Sequence, residues 1–301
     1  MAQREDVWFT SGDSRISGWL YRPAPGGDGS DVPLLVMAHG LGAVRTMRLD
    51  AYAERFSASG YACLVFDYRN FGDSEGRPRQ LLDVGLQLAD WAAAVAYARR
   101  LDGIDPNRIG LWGTSFSGGH VIATAARIPG IAAVVAQCPF TDGIASVRAI
   151  APSTAARVTA RALHDLAGSW LGRPPLMIPT AGKPGEVALM TAPDAYLGYL
   201  KLVPPGAQLR NEVAARIGIK VMAYRPGRSA AKVGCPILFC VCETDSVAPA
   251  GPTLRYASKA PHGEVAMYPE GHFAIYLGAA FERVVADQVG FFDKHLTGSA
   301  G

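Results

Sequence analysis

The stretch GTSFSGG at residues 113–119 decides how the rest of the sequence is interpreted. It follows an apolar run at residues 109–112 and precedes a helical pattern at residues 121–127. A serine on a tight strand-to-helix turn projects its side chain at the carboxyl edge of a sheet, beside the free N–H groups of the helix start. Glycine two positions earlier favours Ser115 as the nucleophile over Ser117, which stands where such turns usually carry a second glycine.

Apolar runs that alternate with helical patterns predict a doubly wound, mostly parallel α/β sheet around this turn. Continuous apolar runs are typical of parallel strands that are covered on both faces. They lie at residues 34–37, 63–66, 109–112 and 133–136. Helical patterns at residues 49–56 and 81–100 fall between them. Residues 7–22 contain two short strand patterns around Ser11-Gly12-Asp13, which predicts an antiparallel hairpin.

The alternation of strands and helices stops after Pro139. Proline- and glycine-rich connectors and helical patterns replace the buried runs in residues 140–232, where we expect no buried strand. We therefore predict that residues 1–139 and 233–301 form the core and that residues 140–232 are a helical lid inserted into it.

The lid and the second part of the core have their own predicted elements. Inside the lid, helices are expected at residues 153–170 and 211–222. The sheet resumes with apolar runs at residues 237–241 and 265–268, and a terminal helix with one apolar face follows them.

Composition restricts the class of protein. The 301 residues are 49% hydrophobic and 18% charged, which excludes a disordered chain. A net charge of +3, with the basic residues scattered, indicates no nucleic-acid surface. No apolar stretch approaches the roughly 18 residues of a membrane helix, so no membrane partner is expected. Five cysteines without framework spacing and a charged N-terminus favour a reduced, cytoplasmic protein.

A serine hydroxyl needs a base and an acid before it becomes a good nucleophile. Asp245 follows the apolar run at residues 237–241, and His272 follows the run at residues 265–268. The carboxyl ends of parallel strands meet at one edge of a sheet, so both side chains can reach Ser115. Asp142, which follows a neighbouring strand, is the alternative acid.

The sequence His39-Gly40-Leu41-Gly42 follows another predicted strand. Its glycines allow backbone amides to turn toward the serine, so the N–H groups of Leu41 and Phe116 are the predicted oxyanion hole. His39 is expected to pack and hydrogen-bond beneath this loop rather than to act as a base.

Other chemistries have no motif in the sequence. There is no HExxH, no CxxC pair and no nucleotide-binding glycine motif, so we expect no metal. Cys240 and Cys242 lie on one face of a predicted buried strand, which favours core packing.

Together these motifs resemble the α/β-hydrolase superfamily, in the branch related to dienelactone hydrolases, X-Pro-type peptidases and small esterases. The segments that carry the resemblance are HGLG at 39–42, DYRNFGDS at 67–74, GTSFSGG at 113–119, ETDSVAP at 243–249 and GHF at 271–273. The resemblance implies an eight-stranded sheet, a triad of Ser115, His272 and Asp245, and no cofactor.

Three functions are compatible with these residues. The first is a serine hydrolase that cleaves a carboxylic ester of a small or medium hydrophobic substrate through an acyl-enzyme on Ser115. The second is a thioesterase, or an acyl-transfer or cyclising enzyme of secondary metabolism. The third is a non-catalytic ligand-binding protein on the same fold. The expected partner is a small-molecule ester or thioester, and the sequence is also compatible with a homodimer. The lid residues expected to line the substrate pocket are Met177, Ile178, Met190, Tyr196 and Tyr199.

Overall fold

The computed structural model describes residues 3–24 and 30–297. Its strands are β1 (Gln3–Ser11), β2 (Ser14–Arg22), β3 (Val32–Ala38), β4 (Ala62–Phe66), β5 (Ile104–Thr114), β6 (Ala133–Gln137), β7 (Met177–Ile178), β8 (Val213–Ala214), β9 (Ile237–Cys242) and β10 (Gly263–Tyr268). Its α-helices are α1 (Leu49–Ala58), α2 (Val84–Ala98), α3 (Phe116–Ala125), α4 (Gly143–Arg148), α5 (Pro152–Trp170), α6 (Ala195–Leu200), α7 (Ile217–Ala223), α8 (Ala250–Ala257) and α9 (Gly278–Phe292).

Eight of these strands form one sheet in the order β1-β2-β4-β3-β5-β6-β9-β10. The pairs β1–β2 and β2–β4 are antiparallel, and every other neighbouring pair in this sheet is parallel. The predicted mostly parallel, eight-stranded sheet is therefore confirmed. The hairpin at its edge turns at Gly12, whose φ of +56° lies in the left-handed region that glycine adopts without strain.

Helices cover both faces of the sheet, as expected for strands that are apolar at every position. On one face, Val36 of β3 packs in a cluster with Trp91 of α2 and Val121 of α3. On the other face, Met37, the next residue of β3, packs in a cluster with Tyr52 of α1. Successive strand residues thus enter opposite cores, which is why these strands show no polar alternation.

The segment between β6 and β9 contains α4 to α7 and a small two-stranded sheet. The prediction that this segment has no buried strand is wrong, because β7 and β8 pair antiparallel and their residues Ile178 and Val213 are fully buried. Two-residue strands are too short to produce a periodic pattern. Helix α7 begins at Ile217 rather than at residue 211, because the Asn211 side chain bonds both the N–H and the C=O of Ala181 and holds the chain extended. The lid boundaries remain predictions.

Helix α5, at 19 residues, is the longest described helix. None of the helices in residues 3–24 and 30–297 combines the length and the apolar character needed to cross a membrane.

Candidate active site

Ser115 occupies the sharp turn between β5 and α3. Its φ of +56° and ψ of −119° are strained for a residue with a side chain, and such strain is typical of functional positions. Small neighbours make the turn possible. A Cβ at Gly113 would lie 2.4 Å from the carbonyl oxygen of Ser117, and a Cβ at Gly118 would lie 2.9 Å from Pro139. The carbonyl of Ser115 also accepts the N–H of Phe140 at 2.8 Å, which fixes the turn.

The structure brings Ser115, His272 and Asp245 together in one hydrogen-bonded line. The hydroxyl of Ser115 lies 2.9 Å from Nε2 of His272, and Nδ1 of His272 lies 2.7 Å from Oδ2 of Asp245. The other oxygen of Asp245 accepts the N–H groups of Val247 and Ala248 at 2.8 and 2.6 Å. These bonds orient the carboxylate, so the imidazole is held in the tautomer that accepts a proton from the serine.

The imidazole of His272 is buried beside a carboxylate, and the two effects oppose each other. Burial lowers the pKa of His272, but the charges of Asp245 and Cys138 and the hydrogen bond to Asp245 outweigh burial and raise the pKa from 6.5 to about 9. The side chain of Asp245 is only 1% exposed, so solvent screens this attraction little.

We expect kcat/KM to depend on pH through His272. The imidazole must be neutral to accept the serine proton, so kcat/KM should rise with pH and level off near the raised pKa, about 9. A kcat/KM profile with a 4-nitrophenyl ester, corrected for spontaneous hydrolysis, measures this. An acidic limb whose midpoint lies below 6.5, the ordinary histidine value, would contradict the raised pKa.

The loop after β3 approaches the serine closely. A Cβ at Gly40 would lie 2.8 Å from the Cβ of Ser115, so only glycine fits there. Among the residues that the structure describes, no acceptor takes the N–H of Leu41 or that of Phe116, the first residue of α3. Both predicted oxyanion donors thus belong to segments that adjoin Ser115.

His39 holds this loop from below. Its Nε2 donates to the carbonyl of Met47 at 2.7 Å, and its Nδ1 accepts the N–H of Gly40 at 2.7 Å. Burial lowers the pKa of His39 to about 4, so the ring is neutral at pH 7. Both ring nitrogens are engaged with backbone, which leaves His39 a packing and hydrogen-bonding role.

Ser117 is occupied elsewhere. Its hydroxyl lies 2.8 Å from the hydroxyl of Tyr68, which accepts the indole N–H of Trp91 at 2.7 Å. The residue is fully buried. Ser117 of α3 is therefore linked through the hydroxyl of Tyr68 to Trp91 of α2. A glycine at residue 117 could not make this link.

Asp142, the alternative acid, lies away from the imidazole. Its carboxylate caps α4 through the N–H of Ile144 and bonds Arg225 at 2.7 Å and Tyr256 at 2.8 Å. Although burial opposes them, these hydrogen bonds hold the pKa of Asp142 below its usual range. The carboxylate has a structural ion pair instead of a contact with His272.

A cavity of about 80 Å³ opens beside Ser115, and most of its wall is apolar. Residues of its wall include Phe140, Ile150, Val158, Leu189, Val221 and Met222. A smaller cleft of about 10 Å³ also borders Ser115 and is lined by His272. Ser115 and Leu41 line both spaces. The candidate nucleophile therefore lies where the apolar cavity and the small cleft meet.

Only two of the five predicted pocket residues line the cavity or the cleft. Met190 lines both the cavity and the cleft, and Tyr199 lines the cleft. Met177, Ile178 and Tyr196 line neither. Met177 and Ile178 are the two residues of β7, where Ile178 packs into the core, and the ring of Tyr196 faces the ammonium of Lys183.

The sequence does not predict the part of the cavity wall that helices α5 and α7 form. Val158 lies on the buried face of α5 with Thr154 and Ala162, a spacing of four residues that the sequence does show. The pattern identifies the buried face of the helix but not the cavity that this face borders. Gly218 of α7 lies next to Val158 in this wall, where a Cβ at residue 218 would lie 3.1 Å from the Val158 side chain.

The chain matches a known protein family. The sequence pattern of the X-Pro dipeptidyl-peptidases (S15 family) matches residues 12–175, more than half of the chain. The chain belongs to this family. The match confirms the resemblance to X-Pro-type peptidases, and the matched residues include the turn around Ser115.

Named relatives match over nearly the whole chain. The quorum-quenching protein AidA of Acinetobacter baumannii is 57% identical over 96% of this chain and 94% of its own. The thiohydrolase aneE of Aspergillus aculeatus is 29% identical over 97% of this chain and 94% of its own. The solved structure of the α/β hydrolase GrgF from Penicillium sp. sh18 superposes with a TM-score of 0.82, at 23% identity, over 98% and 99% of the two chains.

These comparisons decide between the classes of function. The fold is that of the α/β hydrolases, and the chain is an enzyme with hydrolase or acyl-transfer activity. The alternative of a non-catalytic binding protein is therefore set aside.

Proposed function

We propose that this enzyme hydrolyses an ester with an apolar acyl group through an acyl-enzyme on Ser115. The observation that carries the proposal is the hydrogen-bonded line from Ser115 through His272 to Asp245, which ends beside an apolar cavity. The line supplies a nucleophile, a base and an orienting acid. The cavity supplies an apolar surface for the acyl chain.

The proposed reaction has two halves. In the first, Ser115 Oγ attacks the ester carbonyl while His272 Nε2 takes its proton, and the N–H groups of Leu41 and Phe116 bind the oxyanion. His272 then gives this proton to the leaving alkoxide, and the C–O bond breaks. In the second half, water attacks the acyl-enzyme, its proton passes through His272 to Ser115, and the acid is released.

The relatives suggest which ester this is. Since a relative at 57% identity is a quorum-quenching protein, we propose a quorum-sensing signal that joins an ester or lactone to an apolar chain. Such a signal suits a cavity with an apolar wall next to a small cleft. A thioester is the second candidate, because a relative that matches over 97% of this chain is a thiohydrolase. The same residues would act, with a thiolate leaving in place of an alkoxide.

A comparison of substrates distinguishes these candidates. We would measure kcat/KM for the octanoyl ester of 4-nitrophenol, an octanoyl thioester and an octanoyl homoserine lactone under one set of conditions. Preference for the oxygen ester or the lactone supports the first proposal. A preference for the thioester by orders of magnitude would replace it with the second, and hydrolysis of none of the three would contradict both.

Val158 gives a prediction about chain length. This residue is 8% exposed and lines the cavity, so Val158→Phe should fill part of the acyl space. We expect kcat/KM for the octanoyl ester to fall by about tenfold or more, since a methylene in an apolar pocket is worth about 10–200-fold, while the acetyl ester is affected little. The matched control is Leu163→Phe, on the exposed face of the same helix. Equal losses for both esters would show that the cavity does not hold the acyl chain.

A further inference from the structure

A cysteine thiol lies next to the imidazole and carboxylate of the candidate triad. Cys138 directly follows β6, and its N–H donates to the carbonyl of Cys240 on the neighbouring strand at 2.8 Å. This backbone bond holds Cys138 at the same edge of the sheet as Asp245 and His272. One ligand atom from each of the three side chains lies within 4.8 Å of the other two.

The thiol of Cys138 contacts three polar side chains, those of Cys242, Thr114 and Tyr276. Its sulfur lies 3.5 Å from the hydroxyl of Thr114 and 3.7 Å from the hydroxyl of Tyr276, distances typical of loose sulfur contacts. The residue is only 2% exposed, so water does not hydrogen-bond the thiol. The φ of Cys138 is +33°, which lies outside the extended region, so the regular strand ends before this residue.

Thiolate, imidazole and carboxylate are together the ligands that Zn²⁺ prefers. Ligand atoms less than 5 Å apart can surround one ion with bonds of about 2.0–2.3 Å after small side-chain movements. One of the three ligands, His272, borders the cleft beside Ser115. We propose that Cys138, Asp245 and His272 bind a zinc ion, and that this ion switches the enzyme off reversibly.

The inhibition follows from the two nitrogens of His272. Nδ1 is bonded to Asp245 and Nε2 to Ser115, so a metal on either nitrogen must displace one of the two bonds. Binding also displaces to solvent any proton on the Cys138 sulfur and the proton on the imidazole nitrogen that takes the metal, since both ligands bind in their deprotonated forms. A zinc-bound imidazole can no longer accept the serine proton. The inhibition rests on the proposed function, whereas the binding of the metal does not.

The binding test uses Co²⁺, which takes zinc sites and gives a near-ultraviolet thiolate-to-metal charge-transfer band. The full-length enzyme should show this band on titration with Co²⁺ and lose it when Zn²⁺ is added. Cys138→Ser should lack the band. Cys63→Ser and Cys235→Ser are matched controls, since Cys63 is buried and Cys235 is half-buried away from the site, and both should keep it.

The inhibition test uses Zn²⁺ with a 4-nitrophenyl ester, and each variant is compared with its own metal-free rate. Zn²⁺ should inhibit the unaltered enzyme, and a chelator should restore the rate. Cys138→Ser should weaken inhibition by about 100-fold, because even an outer partner of a metal ligand is worth about 10–100-fold in affinity. His295→Gln controls for another imidazole–carboxylate pair, His295 with Glu264 at 3.0 Å, and should change nothing.

Two results would overturn the proposal. One is the absence of a thiolate-to-cobalt band in the unaltered enzyme. The other is undiminished zinc inhibition in Cys138→Ser, which would locate the ion elsewhere. Failure of the proposed function gives a different result, since the cobalt band would then appear in a protein without ester hydrolysis.

Discussion

Ser115→Ala is expected to lower kcat for an activated ester by about a millionfold, the loss seen when the nucleophile of a comparable triad is removed. The reason is that no other hydroxyl lies at the hydrogen-bonding nitrogen of His272 among the contacts of the described residues. Initial rates with a 4-nitrophenyl ester at saturating concentration measure this loss.

Ser117→Ala is the matched control for that result. Ser117 is a buried serine two residues away, and its hydroxyl bonds Tyr68 instead of a base. We expect this variant to keep most of its activity and to lose about 1 kcal/mol of stability with the hydrogen bond. A large loss in Ser117→Ala together with little loss in Ser115→Ala would mean that the wrong serine has been assigned.

Asp245→Asn is expected to lower kcat by about 10⁴-fold, the effect of this change in a well-studied triad. The amide cannot stabilise the imidazolium and favours the wrong tautomer of His272, although the two side chains have the same shape. The change also removes the largest of the charges that raise the pKa of His272, so the acidic limb of the kcat/KM profile should move to lower pH.

Asp142→Asn tests whether Asp142, the alternative acid, orients His272 instead of Asp245. Asp142 bonds Arg225, Tyr256 and the start of α4, so its loss should lower the melting temperature and leave kcat nearly unchanged. The pair of variants is informative because both are carboxylates that follow strands of one sheet. The opposite pattern, with kcat lost in Asp142→Asn alone, would move the acid to residue 142.

The main features of the fold could be predicted from the sequence because the central strands are unusually clear. The predicted apolar runs within strands β3 to β6 are buried on both faces, and such runs have few other interpretations. The pair β7–β8 could not be found, since two residues have no periodicity and Asn211 holds the neighbouring chain extended through side-chain bonds.

The site could be predicted in part for a similar reason. Ser115, Asp245 and His272 each follow a strand of one parallel sheet, so chain order alone brings them to one edge. The cavity wall could not be predicted, because it depends on how α5 and α7 pack. Cys138 also follows a strand, but a single cysteine outside any metal-binding spacing carries no signal in a sequence.

The central claim is that Ser115 is the residue that becomes acylated. A 4-nitrophenyl alkylphosphonate tests it most directly, because it reacts as an ester does but leaves a stable adduct on the attacking oxygen. Intact mass should show one adduct, and digestion with trypsin should locate it at residue 115 in the peptide of residues 109–127. The adduct should be missing in Ser115→Ala. An adduct on any other residue, or ester hydrolysis that continues with residue 115 unmodified, would contradict the account.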